Sequence, residues 1–140
     1  MDFKLELVIV PVADVDGAKS FYIEQAGFHL EVDHRAGEDF RVVQMTPPGS
    51  ACSIAVGTGI SSAAPGSVRG LHLVVTDIDA ARSELVARGV GVGEVRHVEA
   101  GSWSPGAHPE RRDYSSFADF ADPDGNTWLL QERGHTAAGA

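Results

Sequence analysis

The stretch LHLVVTDIDAARSELVARGV, Leu71 to Val90, decides the fold because it repeats an earlier one, VIVPVADVDGAKSFYIEQAGF, Val8 to Phe28. Asp14, Asp16, Ala18 and Ser20 recur as Asp77, Asp79, Ala81 and Ser83 at a constant offset of 63, and Gly27 recurs as Gly89 with a one-residue slip. Each copy is an apolar, strand-like run, then Asp-x-Asp, then an amphipathic stretch, then glycine. A carboxylate at the head of a helix accepts orphan amide protons and suits the helix dipole. Glycine suits the left-handed residue that ends one.

Three shorter strand-like pieces follow each helix. In the first half they are FHLEVD, DFRVVQM and ACSIAVG, with the turn TPPGS before the last; in the second they are GVGEVRHVE, SSFADFA and NTWLLQE, with the turn DPDG. The pattern predicts an α+β fold of two βαβββ modules, residues 1–60 and 71–132, sharing one core as repeats generally must. The linker is 61–70, within TGISSAAPGSVRG, and the tail 133–140 is expected to fray.

Composition narrows the function classes. The chain has 140 residues, 43% hydrophobic and 22% charged, with a formal charge of −9. Such a balance argues against nucleic acid, which demands clustered positive charge. Arg111–Arg112 is the only basic cluster, adequate for one carboxylate or phosphate. No apolar run approaches the roughly 20 residues of a membrane span. Glu6 and Pro11 break the first apolar run, which has no basic leader. Cys52 is the only cysteine, so an intrachain disulfide and thiolate zinc sites are excluded and a cytoplasmic setting is expected.

The duplicated unit, with DVDGAKSFYIEQAGF, GLHLVVTDIDAARSELVARG and DPDGNTWLLQE, resembles the vicinal-oxygen-chelate superfamily over nearly the whole chain. That group includes glyoxalase I, extradiol dioxygenases, fosfomycin-resistance enzymes and bleomycin-binding proteins. The resemblance implies a curled, eight-stranded mixed sheet, a cup with helices packed on its outer face, in a homodimer. It also implies metal-ligand positions on four strands. Counted from the helix-capping Asp they fall at Leu7 and Gly70; counted from the turn glycine they fall at Ser53 and Leu129.

Strand parity provides an independent test, since alternate residues face opposite sides. One parity collects Val8, Val10, Val12, Cys52, Ile54, Val56, Leu71, Leu73, Val75, Trp128 and Leu130, all apolar and expected under the helices. Cys52 is therefore expected to be buried and inert. The other collects Leu7, Ile9, Ser53, Ala55, Gly70, His72, Val74, Leu129 and Gln131, a mixed set suited to a ligand cavity. A divalent ion needs three or four His, Asp, Glu or Cys donors. Leu7, Gly70 and Leu129 offer none and Ser53 is poor alone; sliding by two gives Ile9, Ala55, His72 and Gln131, still insufficient. No metal and no cofactor is expected.

The expected ligand wall is Leu7, Ile9, Ser53, His72, Leu129 and Gln131. The loop His97–Ser116 is long for a hairpin connection and is expected to act as a lid or binding wall, with Trp103 and His108 toward a ligand. His72 is the candidate acid or base, and Arg111 or Tyr114 the candidate oxyanion stabiliser. Two functions follow: sequestration of a mid-sized apolar or aromatic metabolite, or its metal-free isomerisation, cyclisation or lysis. The alternative is a metal-dependent glyoxalase-like lyase or dioxygenase.

Overall fold

The computed structural model describes residues 1–136, so residues 137–140 of the tail expected to fray lie outside the described residues. The chain forms two compact units. One comprises Met1–Val68 with Asp122–Asn126; the other comprises Arg69–Ala121 and the chain from Thr127 onward.

The first unit runs β1 (Leu7–Ile9), α1 (Val15–Ser20), a π-helical turn (Phe21–Gln25), β2 (His29–Arg35), β3 (Arg41–Thr46) and β4 (Ser53–Thr58). Its sheet order is β1-β4-β3-β2, with β1 parallel to β4 and the other pairs antiparallel. The second unit runs β5 (Leu71–Val75), α2 (Ile78–Ala87), β6 (Arg96–Glu99), β7 (Ser102–Pro105), β8 (Ser116–Ala121) and β9 (Thr127–Glu132). Its order is β5-β9-β8-β6-β7, again with the first strand parallel to the last.

A single eight-stranded sheet is not what forms. There are two hydrogen-bonded sheets, of four and five strands. The extra strand is β7, Ser-Trp-Ser-Pro, which is short and proline-ended and lies inside the segment expected to be an open loop. It closes a hairpin on β6 through Ala100 and Gly101, with φ of 52° and 79°. Two positive φ values are what a tight primed hairpin turn demands. Alanine carries a steric penalty there that Asn tolerates. Ala100→Asn is therefore expected to raise stability by about 1 kcal/mol, read as a higher urea midpoint.

The helix signals form as expected. Asp14 Oδ1 accepts from the Gly17 amide at 3.0 Å, and Asp77 Oδ1 from the Ala80 amide at 3.1 Å. Gly27 and Gly89 take φ of 80° and 92° after the two helices. The one-residue slip between the repeats also has a structural cause. The first helical segment has six α-helical and five π-helical residues, against ten in α2. A π turn absorbs one extra residue. The adjacent rings of Phe21 and Tyr22 are consequently both buried, 5.1 Å apart and edge to face.

Each sheet buries the face under its helix. Val10, Val43, Met45, Ile54 and Val56 do so in the first unit, and Ala118, Phe120, Trp128 and Leu130 in the second. Fully burying a large apolar side chain contributes about 1.5–3 kcal/mol. Cys52 departs from its expected place: it precedes β4, is only half-buried, and its Sγ lies 3.6 Å from the Ser53 carbonyl.

The turn Asp122–Asn126 joins β8 to β9 yet belongs to the first unit. Asn126 is fully buried: its Nδ2 donates to the Pro11 carbonyl (2.9 Å) and to Asp122 Oδ2 (2.8 Å), and its Oδ1 accepts from the Val68 amide (3.0 Å). Tyr22 Oη donates to the same Asp122 Oδ2 at 2.7 Å. Gly66 lies so close that a Cβ there would sit 2.1 Å from the Asp124 carbonyl oxygen.

Candidate functional site

The register of the five-stranded sheet fixes what its helix-free side presents. His72 pairs with Leu129, which pairs with Asp119; Val74 pairs with Gln131, Gln131 with Phe117, and Phe117 with Arg96. These residues share one face, and at about 4.8 Å per strand the face is roughly 19 Å wide across five strands. The side chains are exposed or half-buried.

Two rings dominate the far end. Trp103, on β7, is 57% exposed and meets Phe117 edge to face at 5.5 Å. The Arg96 guanidinium lies 4.9 Å over the Trp103 ring and pairs with Asp119 at 3.1 Å. Cation and carboxylate thus neutralise each other, leaving an aromatic surface for stacking. At the near end, His72 Nδ1 lies 2.7 Å from the Gly70 carbonyl oxygen. A carbonyl only accepts, so Nδ1 carries a proton, and the lone pair of the uncharged ring is the one on Nε2. Leu129 lies between His72 and Asp119 and keeps them two strands apart, so they form no acid–base pair.

The helix-free face of the first sheet carries Leu7, Ile9, Ser53, Ala55 and Gln44. Ser53 Oγ is 2.7 Å from Thr46 Oγ1. Leu7 and Ser53 are adjacent across β1 and β4, and so hold one of the two pairs of metal-ligand positions; Gly70 and Leu129 hold the other in the second unit. This donor chemistry does not fit a divalent ion, because three of the four side chains have no donor atom. Among the described residues, no three His, Cys, Asp or Glu side chains are grouped to hold a metal.

Other expected site residues lie elsewhere. Arg111 is on the helix side of the second sheet, where its Nε and Nη2 clamp the two carboxylate oxygens of Glu132 at 2.8 and 2.5 Å. Glu132 is 0% exposed and also accepts the Ile78 amide of α2 at 2.9 Å. Burial pushes its carboxyl up, but Arg111 and the Ile78 amide outweigh burial and hold it below the ordinary carboxylate range. Glu132 raises Arg111 in turn. Tyr114 donates its amide to the Glu132 carbonyl and lies under Arg133 at 5.7 Å. His108 is buried, its Nδ1 accepting the Glu110 amide and its ring edge-on to His97 at 5.6 Å. The fold therefore puts His72, Leu129, Gln131 and Trp103 on one face of the second sheet, with Trp103 and His72 on opposite edge strands, and sets Arg111, Tyr114 and His108 apart from that face.

Two of the charges that line a polar hollow beside α1, Asp16 and Arg41, are held in one ion-pair network. Arg41 holds Asp33 by two bonds at 3.1 and 3.0 Å and Asp16 at 2.7 Å, and Lys19 holds Asp33 at 2.8 Å. Arg41 and Lys19 together depress the Asp33 carboxyl far below its usual range. The face residues not anticipated from sequence are Arg96, Phe117 and Asp119. Alternation along SSFADFA could have found them, but Phe occurs on both parities of that strand, so sequence alone leaves its sidedness open.

The Glyoxalase/Bleomycin resistance protein/Dioxygenase superfamily model matches residues 4–130. The chain belongs to that superfamily. Among solved structures it is similar to TnmS3, an antibiotic binding protein from Streptomyces sp. CB03234, with 34% identity over 94% of this chain and 96% of that one and a TM-score of 0.72. A glyoxalase/bleomycin resistance protein from the same organism is 35% identical over 91% of this chain and 99% of its own, with a TM-score of 0.69. A superfamily member from Sphaerobacter thermophilus DSM 20745 is 27% identical over 94% and 98%, with a TM-score of 0.71. A search of curated proteins finds no match. No helix among the described residues is long and apolar enough to cross a membrane.

Proposed function

We propose that this chain binds a mid-sized, apolar or aromatic small molecule on the helix-free face of its second sheet and sequesters it without a metal ion. The observation that carries the reading is the Trp103–Phe117 pair on the same sheet face as Leu129 and Val74, with His72 and Gln131 as the polar groups of that face. A largely apolar surface with few polar groups is the composition of a small-molecule site. Likeness to an antibiotic binding protein supports the same reading. We place the protein in the cytoplasm, as a homodimer with no nucleic-acid partner. A second reading, metal-independent conversion of the bound molecule, is favoured by His72, whose free Nε2 is suited to accept a proton.

The test is titration of the purified protein with bleomycin and a panel of aromatic antibiotics. Readouts are thermal stabilisation, quenching of Trp103, and mass spectrometry of the compound afterwards. A ligand recovered unchanged while raising the melting temperature supports sequestration. Trp103→Ala is expected to weaken binding about tenfold, the loss of about 1.4 kcal/mol of stacking. His72→Ala is expected to cost a few-fold in binding, and all turnover if the compound is converted. A stoichiometric metal whose removal abolishes binding would refute the metal-free reading.

A further inference from the structure

Arg96 joins the charged and aromatic groups on the helix-free face of the second sheet. It opposes Pro105 on β7 and Phe117 on β8, so Trp103 and Asp119 are its diagonal neighbours, one on each flanking strand. Diagonal positions lie within reach of long side chains. The guanidinium lies 4.9 Å over the Trp103 ring, and its Nη1 donates to Asp119 Oδ1 at 3.1 Å. Gly93 leaves room for that oxygen, since a Cβ there would lie 3.0 Å from it. Among the described residues, Nε and Nη2 of Arg96 have no hydrogen-bond partner. The planar cation therefore keeps a two-donor edge unspent.

These contacts sort ligands by charge. A cation is recognised by an aromatic face and by a carboxylate. Arg96 already takes both, so an aromatic cation would have to displace it from the ring and from Asp119 together. An oxygen acceptor meets no such competitor, because the unspent donors are parallel N–H groups of a rigid fork. We propose that Arg96 is the specificity-determining residue of this face. The molecule it admits is an aromatic ring bearing an oxygen acceptor in its plane, a carboxylate or a conjugated carbonyl, and not an aromatic cation. Asp119 is the positioning residue, which holds the guanidinium against Trp103. The inference rests on the binding face described under the proposed function and adds the chemistry its ligand must carry.

The test uses three probes of one shape: naphthalene-2-carboxylate, naphthalene-2-carboxamide and the cationic naphthalene-2-carboxamidine. Each is titrated into the full chain at pH 7 while tryptophan fluorescence is followed; Trp103 reports, since Trp128, the other tryptophan, is buried. The carboxylate and the carboxamide are expected to bind about tenfold more tightly than the amidine, the worth of one charge-assisted hydrogen bond. Arg96→Met keeps an unbranched stem against Trp103 but removes donors and charge, and the amidine is then expected to equal or overtake the carboxylate. Asp119→Asn is expected to weaken the carboxamide a few-fold and to raise the carboxylate's advantage over it, because the neighbouring negative charge is gone. Arg96 and Asp119 are partly exposed, and circular dichroism checks that the variants fold. Equal affinities for the three probes, an amidine bound most tightly by the wild type, or an unchanged order in Arg96→Met would each overturn the proposal and leave the binding face standing. An unchanged ratio in Asp119→Asn would overturn the positioning role. If no probe binds at millimolar concentration, the binding face falls and the proposal with it.

Discussion

Replacing Arg111 with alanine is expected to destabilise the protein by about 3–5 kcal/mol, the cost of leaving a buried carboxylate without its cation. Glu132 is 0% exposed, and Arg111 is the only cation bonded to it among the described residues. The Ile78 amide would remain, but a single neutral donor cannot offset the desolvation of a carboxylate. The measurement is urea unfolding at pH 7. The double variant R111M/E132L is expected to lose much less, because apolar groups of similar volume can replace a buried ion pair at little cost. Its residual loss should be about 1 kcal/mol, from the amide at the start of α2.

Acid gives the same pair a second signature. In the wild type the Glu132 carboxyl titrates below its ordinary value. Its contribution is therefore complete above the ordinary carboxylate pKa, near 4.3, and is lost as pH falls through the lower folded value. In Arg111→Ala the sign reverses. Burial, opposed there by the Ile78 amide without the guanidinium, is expected to raise the carboxyl, so protonation relieves the penalty as pH falls through the raised value. The stability gap between the two proteins should be widest at pH 7 and narrow steadily toward pH 4.

Asn126→Ala is expected to cost about 3 kcal/mol, from three buried hydrogen bonds at about 1 kcal/mol each. The side chain bridges the Pro11 carbonyl, the Val68 amide and the Asp122 carboxylate. Asn126→Asp should be worse, because it loses both donors and sets a second negative charge against Asp122. Tyr22→Phe removes one bond to that carboxylate, and its expected loss is about 1.5–3 kcal/mol. Coupling between Tyr22 and Asn126 through the shared Oδ2 would appear as non-additivity in the double variant.

What was readable in the sequence was what is local. Asp14 and Asp77 announce helix starts because a cap depends on residues three apart, and Gly27 and Gly89 announce helix ends for a similar reason. Alternation placed His72, Leu129 and Gln131 on one face because a strand's period does not depend on its neighbours. The remainder depends on tertiary context. Nothing local distinguishes Arg111, folded back onto Glu132 with a φ of 50°, from an arginine free to clamp a ligand. By strand parity Glu132 falls on the helix side with Trp128 and Leu130, but its cation lies 21 residues away in a segment without periodicity. β7 is not legible in the sequence because four residues ending in proline resemble a loop until β6 lies beside them.

The π turn in the first helix has a consequence for how the two halves relate. Tyr22 reaches Asp122 from that widened turn, and at the matching place in the other half stands Leu85, which has no hydroxyl to give. The halves are no longer spare copies of one another. A chimera carrying the later segment, residues 71–132, twice would bring a helix one residue too short and a socket without its plug.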